Sequence, residues 1–453
     1  VHPGFLDPQR TRMIERQRLK QILSLGLPII GGMLSQSLLN LVDAAMVGHL
    51  GETSLAGVGI GSYANFMAIA LVMGLGAGVQ ALVARRRGEG RADEIAAPLN
   101  AGLLIALCLA LPLMLLCWSF ARPIIALLTT DAAVQQIGGE YFEWRVLAVF
   151  AVGMNFAFRG YWNGSHRSGV YMRTLVIMHV TNVLISYSLI HGLFGLPRMG
   201  APGSGLGTTL ALYLGSLIYA VQTWRSANHQ GFLSRWPSRG EVSRMLRLSL
   251  PNSVQQFFFA TGITALFWII GQVGTAELAV AHVLINLALF LILPAIGLGM
   301  AATTLVSQSL GAEDFDSAHR WGWEVVKVAA IGLALLGAPF WLVPELILRL
   351  FVSDPALIEL GSWPLRLTGL GMVIDATALV LTQALLGAGA NRTVMTVSLG
   401  NQWLFFLPLA YLLGPVLGHG LLAIWSLQIL QRGLASTIFA VMWQRRDWTR
   451  IQL

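Results

Sequence analysis

The chain has 453 residues, 55% hydrophobic and only 11% charged, with a mean hydropathy of +0.68 and a formal net charge of +8. Soluble domains carry about 25% charged residues, so most of this surface must face something other than water, and a bilayer is the simple answer. The positive balance does not mark a nucleic-acid binder: only Lys20 and Lys327 are lysines, and the arginines cluster in short loops, as they do beside membrane spans.

The first twenty residues are polar and basic (Arg10, Arg12, Arg16, Arg18, Lys20) and lack the apolar core and cleavage site of a secretory signal. Residues 12–21 read equally as a basic amphipathic helix on the inner leaflet or as solvated charge. Twelve apolar runs follow, predicted as spans at 21–48, 54–83, 95–121, 137–162, 170–196, 202–224, 245–271, 277–308, 318–344, 360–388, 394–416 and 420–443. Each is long enough for a hydrocarbon core that takes roughly 20 helical residues to cross. Cys108 and Cys117 both fall in the third run and read as small packing residues, with neither disulfide nor metal spacing. Basic residues gather in the N-terminal segment, after the second span (Arg85, Arg86, Arg87, Arg91), after the sixth (Arg225, Arg235, Arg239, Arg244) and in the C-terminal tail (Arg445, Arg446, Arg450). That pattern predicts both termini on the cytoplasmic side of a bacterial inner membrane.

The chain then repeats itself at an offset of 223 residues: Leu27-Pro28 recurs as Leu250-Pro251, Gly74-Leu75-Gly76 as Gly297-Leu298-Gly299, Gly88 as Gly311 and Gly164 as Gly387. Six spans per copy is an even number, so both copies enter the membrane from the same side and the repeats are parallel. The predicted fold is an all-α polytopic membrane protein, twelve transmembrane helices in two parallel six-helix repeats. Its expected parts are an N-terminal cytoplasmic segment (1–20), an N-lobe (21–224), an inter-lobe cytoplasmic loop (225–244), a C-lobe (245–443) and a C-terminal cytoplasmic tail (444–453).

Carboxylates are rare in a bilayer because each costs roughly 2.5–3.5 kcal/mol at a helix centre on insertion scales. Nearly all acidic residues here sit in loops or at span ends; Asp43 in the first span and Asp375 in the tenth do not. Neither has a Lys or Arg beside it on its own helix, and burial favours the neutral form of a carboxyl group, so each is a candidate to exchange a proton or bind a cation. The bland alternative is a structural hydrogen bond to a neighbouring helix. Gln36, Asn40 and Asp43 form one stripe at helical spacing, and His179, Asn182 and Ser186 form a similar stripe in the fifth span. Asn155 and Thr208 are further polar groups of the same half. Together these supply oxygen ligands for sodium or hydrogen bonds to Asp43, although for each neutral group alone interhelical packing is as good a reading. His179 and His282 can relay protons, but a lone intramembrane histidine is more often a bonded packing residue. Glycine clusters at 57–61 and 74–78 follow no strand and read as helix crossings rather than phosphate loops.

The segments LPIIGGMLSQSLLNLVDAAMVGHLG, its partner LPNSVQQFFFATGITALFWIIGQVG, GLGAGVQALVARRRGEG and NVLISYSLIHGLFGLPRMGAPGSGLGT resemble the multidrug and toxic compound extrusion (MATE) transporters, with the last nearest to the NorM branch. The resemblance implies a V-shaped, two-lobed transporter, monomeric and without a cofactor, that exchanges organic cations or drugs for protons and/or sodium. Asp43 matches the family's first-helix acid, Pro28 the proline whose bend accompanies protonation, Asn182 and Thr208 polar members of an N-lobe ion site that would hold sodium with Asp43, and Asp375 the NorM tenth-helix acid. Ser186 stands where the DinF branch has an aspartate, and Phe259 where the NorM branch has a glutamate, so neither acidic set is complete. A central cavity near the midplane would be lined by Gln36, Asn40 and Asn286. Two other classes fit the residues less well. A lipid-linked precursor flippase of the same wider fold would want basic residues in the cavity, and an intramembrane aspartyl protease would want paired carboxylates and a GxGD pattern that is absent, so no enzyme activity is expected.

Overall fold

The structure, a computed structural model, describes residues 15–451; residues 12–14 of the basic stretch lie outside the described residues. The principal helices are α1 (Arg16–Gly48), α2 (Glu52–Gly88), α3 (Ala92–Ser119), α4 (Ala132–Val146 continued as Val149–Gly164), α5 (Ser168–His191), α6 (Ala201–Gln230), α7 (Arg239–Val273), α8 (Thr275–Gly311), α9 (Phe315–Leu342), α10 (Pro355–Ala388), α11 (Asn391–Val416) and α12 (Gly420–Arg445), with short helices Ala121–Leu128 and Pro344–Leu348 in the connections. Ten are long and apolar enough to cross a membrane. The other two complete the expected twelve. One is α4, split into shorter pieces, and the other is α12, which carries Gln428, Gln431 and Arg432 in mid-span. Residues 16–21 are the opening turns of α1 rather than a separate surface helix.

The break in α4 at Leu147 and Ala148 has an identifiable cause. Two hydroxyls from α6 take carbonyls that the helix gives up: Thr209 Oγ1 donates to Trp144 O at 2.8 Å and Tyr213 OH to Leu147 O at 2.9 Å. Pro28 in α1 and Pro251 in α7 sit inside continuous helices, and each removes one backbone donor at repeat-equivalent depth. Wider π-helical turns interrupt α3 at Ala106–Ala110 and α11 at Gly400–Phe406 and Leu412–Val416.

The lobes meet where α2 packs on α7 and α8, and α1 on α8. Glycines allow backbones to touch. A β-carbon at Gly88 would land on Gln308 O, and one at the repeat-equivalent Gly311 on Arg85 O. Gly74 donates its backbone N–H to Ser253 Oγ at 3.0 Å, so the glycine cluster on α2 is a helix crossing, as expected. Gln80 donates to Met300 O at 2.7 Å and Thr304 Oγ1 at 2.9 Å, and Thr304 donates to Asn163 O at 3.2 Å. All these contacts lie in the half of the bundle that holds the chain termini. Among the described residues the one inter-lobe hydrogen bond in the opposite half is Tyr63 OH to Thr264 Oγ1, 2.6 Å, so the polar contacts that close the two lobes on each other concentrate at the terminal end.

Candidate functional site

The two polar stripes face each other. On α1, Gln36 donates to Asn40 Oδ1 at 3.1 Å and its carbonyl oxygen lies 3.1 Å from His179 Nε2 on α5. One turn on, the Asn182 amide donates to Asp43 Oδ2 at 3.4 Å, and Ser186 donates to Asn182 Oδ1 at 2.8 Å. Ser186 also lies 3.5 Å from Ser204 O, which accepts from Thr208 Oγ1 at 2.9 Å. A hydrogen-bonded line thus runs from Asp43 through Asn182 and Ser186 to Thr208, across α1, α5 and α6. Gly207 makes the last step possible, because a β-carbon there would land on Ser186.

Asn182 and Ser186 are buried, whereas Asp43 is half-buried. Asp43 Oδ1 is shielded from solvent and has no hydrogen-bond partner. Arg145, on the first piece of α4, lies within electrostatic reach of this carboxylate and has one buried, unpartnered guanidinium nitrogen. It lies on a different helix from Asp43, so helical spacing alone does not reveal it as a counter-charge.

The remaining candidates fall elsewhere. Asn155 donates to Leu212 O at 3.1 Å and accepts from Ser216 Oγ at 2.8 Å, which pins α4 to α6 and uses both ends of its amide. Pro28 is 15 residues from Asp43, about 22 Å along a helix, and lies in the zone where a β-carbon at Gly26 would meet Leu298 and one at Gly297 would meet Ile30. Asn286 is exposed on α8 and donates to His282 O of its own helix at 2.8 Å; the exposed His282 ring sits beside Phe267.

Asp375 is buried on α10 and ion-paired with Arg432 of α12. Arg432 lies well inside the predicted twelfth span, where a base is as rare as a carboxylate. Two inter-lobe ion pairs at the terminal end were also invisible in the sequence. Arg18 of α1 meets Glu324 of α9 at 2.6 Å and lies over the Trp321 ring at 3.7 Å. Arg86 of α2 meets Glu241 of α7 at 3.0 Å, both side chains about one-tenth exposed. Glu241 is held in turn by Arg235 at 3.2 Å and by a capping box with Ser238.

The model of the MatE family matches residues 28–188 and again residues 251–412, the two copies of the repeat. A protein of Pseudomonas aeruginosa described as a probable multidrug resistance protein NorM is 30% identical over 90% of this chain and 85% of its own. One of a Synechococcus species with the same description is 29% identical over 94% and 93%. A solved structure described as the outward-facing conformation of a multidrug resistance MATE family transporter superposes with a TM-score of 0.87 at 21% identity, over 96% of this chain and 97% of that one.

Proposed function

Because this chain belongs to the multidrug and toxic compound extrusion (MatE) family, we propose that it exports organic cations and amphipathic drugs from a bacterial cytoplasm by exchange for protons and/or sodium ions. The relatives named above are described as probable multidrug resistance proteins, and the flippase alternative finds no support among them.

The observation that carries the reading is Asp43, a carboxylate in the bilayer with one oxygen unpartnered and the other bonded only by an amide. An intramembrane ionisable group is by default functional, and this one can take up a cation without first displacing a bonded partner from Oδ1. The surroundings suit a proton better than sodium. A hard cation wants several oxygens, but Asn182 turns its nitrogen to Asp43 and its oxygen to Ser186, and Thr208 turns its hydroxyl to Ser204. A sodium site at Asp43, Asn182 and Thr208 would need the Asn182 amide to rotate.

Arginine-rich loops support cytoplasmic termini, in which case the closed end is cytoplasmic and the V opens outward. In that state the external cation occupies Asp43, substrate leaves and the lobes rock to open inward, about Pro28 among other points. Inside, the cation leaves and a new substrate binds against Gln36 and Asn40. Cation and substrate are antagonistic ligands, and the coupling is reciprocal. The test is efflux of ethidium from proteoliposomes with a pH gradient or a sodium gradient imposed separately. Efflux driven by one gradient names the ion; efflux indifferent to both removes the exchange mechanism.

A further inference from the structure

The ion pair between Asp375 and Arg432 joins α10 to α12, each side chain 12% exposed. Its surroundings hold it in register. Ser436, one turn beyond Arg432, donates to Ile374 O at 2.7 Å. Trp425, two turns before Arg432, donates its indole N–H to Thr368 Oγ1 at 3.0 Å. Gly371, one turn before Asp375, has no side chain where Ile429 presses in, and the Arg432 stem passes 3.6 Å from where its β-carbon would be. Among the described residues no other charged side chain pairs with either partner.

A guanidinium does not give up its proton in proteins, so Asp375 faces a fixed positive charge. A coupling cation arriving at this carboxylate would have to displace Arg432 and leave it buried and unpaired, the costly outcome for a buried ion pair. Asp43 differs: its Oδ1 is free, its bonded neighbour is a neutral amide, and Arg145, though within electrostatic reach, makes no bond to it. At the repeat offset, Asp43 corresponds to Leu266 and Asp375 to Val152. Neither carboxylate has a twin in the other lobe, and the shared fold does not require them to do the same work.

We infer that Arg432 is a built-in counter-ion that withdraws Asp375 from cation binding, so that one coupling cation is carried per cycle, on Asp43. The inference rests on the exchange proposed above. It makes Arg432 a positioning residue that locks α12 to α10 and not a member of a second ion site.

The test compares ethidium efflux by wild type, Asp375→Asn, Arg432→Gln and the double variant in proteoliposomes. Each single variant strands one buried partner and should lose about tenfold or more in gradient-driven efflux, whereas the double variant should return to within about threefold of wild type, the rescue expected of a coupled pair. A folded double variant that passes ethidium down its own gradient but never uphill overturns the inference. A second measurement needs no variant of the pair: protons released, and radioactive sodium displaced, per ethidium bound by the detergent-solubilised wild type. One cation per ethidium, lost in Asp43→Asn, upholds the inference; two cations, or one that survives Asp43→Asn, overturn it. A wild type that shows no gradient-driven efflux and releases no cation fails the exchange reading itself, a different result from either.

Discussion

The two inter-lobe ion pairs should set how often the terminal end opens. Glu324→Gln removes the charge opposite Arg18, and Glu241→Gln the charge opposite Arg86. Glutamine retains the shape, and at Glu241 it retains the capping box on α7. A hydrogen bond to a charged group contributes about 1.5–3 kcal/mol and a neutral one about 0.5–1.5, so each change should cost about 1–1.5 kcal/mol of closed-state stability. Together they cost about 2–3 kcal/mol, or roughly 30- to 150-fold in the equilibrium between closed and open, at 1.4 kcal/mol per tenfold. Thr304 is a reporter, fully buried in the inter-lobe contact. With Cys108 and Cys117 replaced, since Cys108 is exposed, Thr304→Cys should react with an impermeant maleimide at a rate that follows the open population. The double Glu→Gln background should raise that rate by the same roughly 30- to 150-fold. A folded double variant labelled within about threefold of its parent would refute the idea that these pairs hold the end shut.

Gly88→Ala with Gly311→Ala places two β-carbons on the facing carbonyls and should hold the terminal ends apart, with labelling of Thr304→Cys raised and efflux lost; wild-type efflux would show that the crossing relaxes. Asn155→Ala frees Leu212 O and Ser216 and should cost about 1–2 kcal/mol of stability while the cation-to-substrate ratio stays at its wild-type value; a changed ratio would put Asn155 in the coupling site. In the turn between α4 and α5, burial and the Arg87 charge hold the His166 imidazole down at about 4 against a normal 6.5. The folded chain therefore favours neutral His166, whose contribution is complete above about pH 6.5 and is lost as the pH falls from there toward 4. His166→Asn should lose less melting temperature than wild type between pH 7 and pH 5, and equal losses would contradict that assignment.

Much of the fold was legible because membrane physics writes it in one dimension. Twelve runs, their parity and a glycine-and-proline repeat suffice for two parallel halves, and the family model finds the same two copies. Within one helix the site was legible too, since three- and four-residue spacings put Gln36, Asn40 and Asp43 on one face and His179, Asn182 and Ser186 on another. That those faces meet is tertiary, with Asp43 and Asn182 separated by 139 residues. The buried charges of α4 and α12 are harder to place from sequence, because arginines near a bilayer usually snorkel. Arg432 instead finds a carboxylate 57 residues away. The break in α4 left no proline or glycine to mark it, since its cause is a pair of hydroxyls on α6.

The central claim is that Asp43 is where cation and substrate compete. It is tested most directly by ethidium affinity of the purified protein, titrated with pH and separately with sodium, for wild type and Asp43→Asn. The account predicts that wild-type affinity falls as the coupling cation rises, and that Asp43→Asn binds ethidium with an affinity flat across both titrations. A folded Asp43→Asn protein whose ethidium affinity still responds to the cation as wild type does would contradict it.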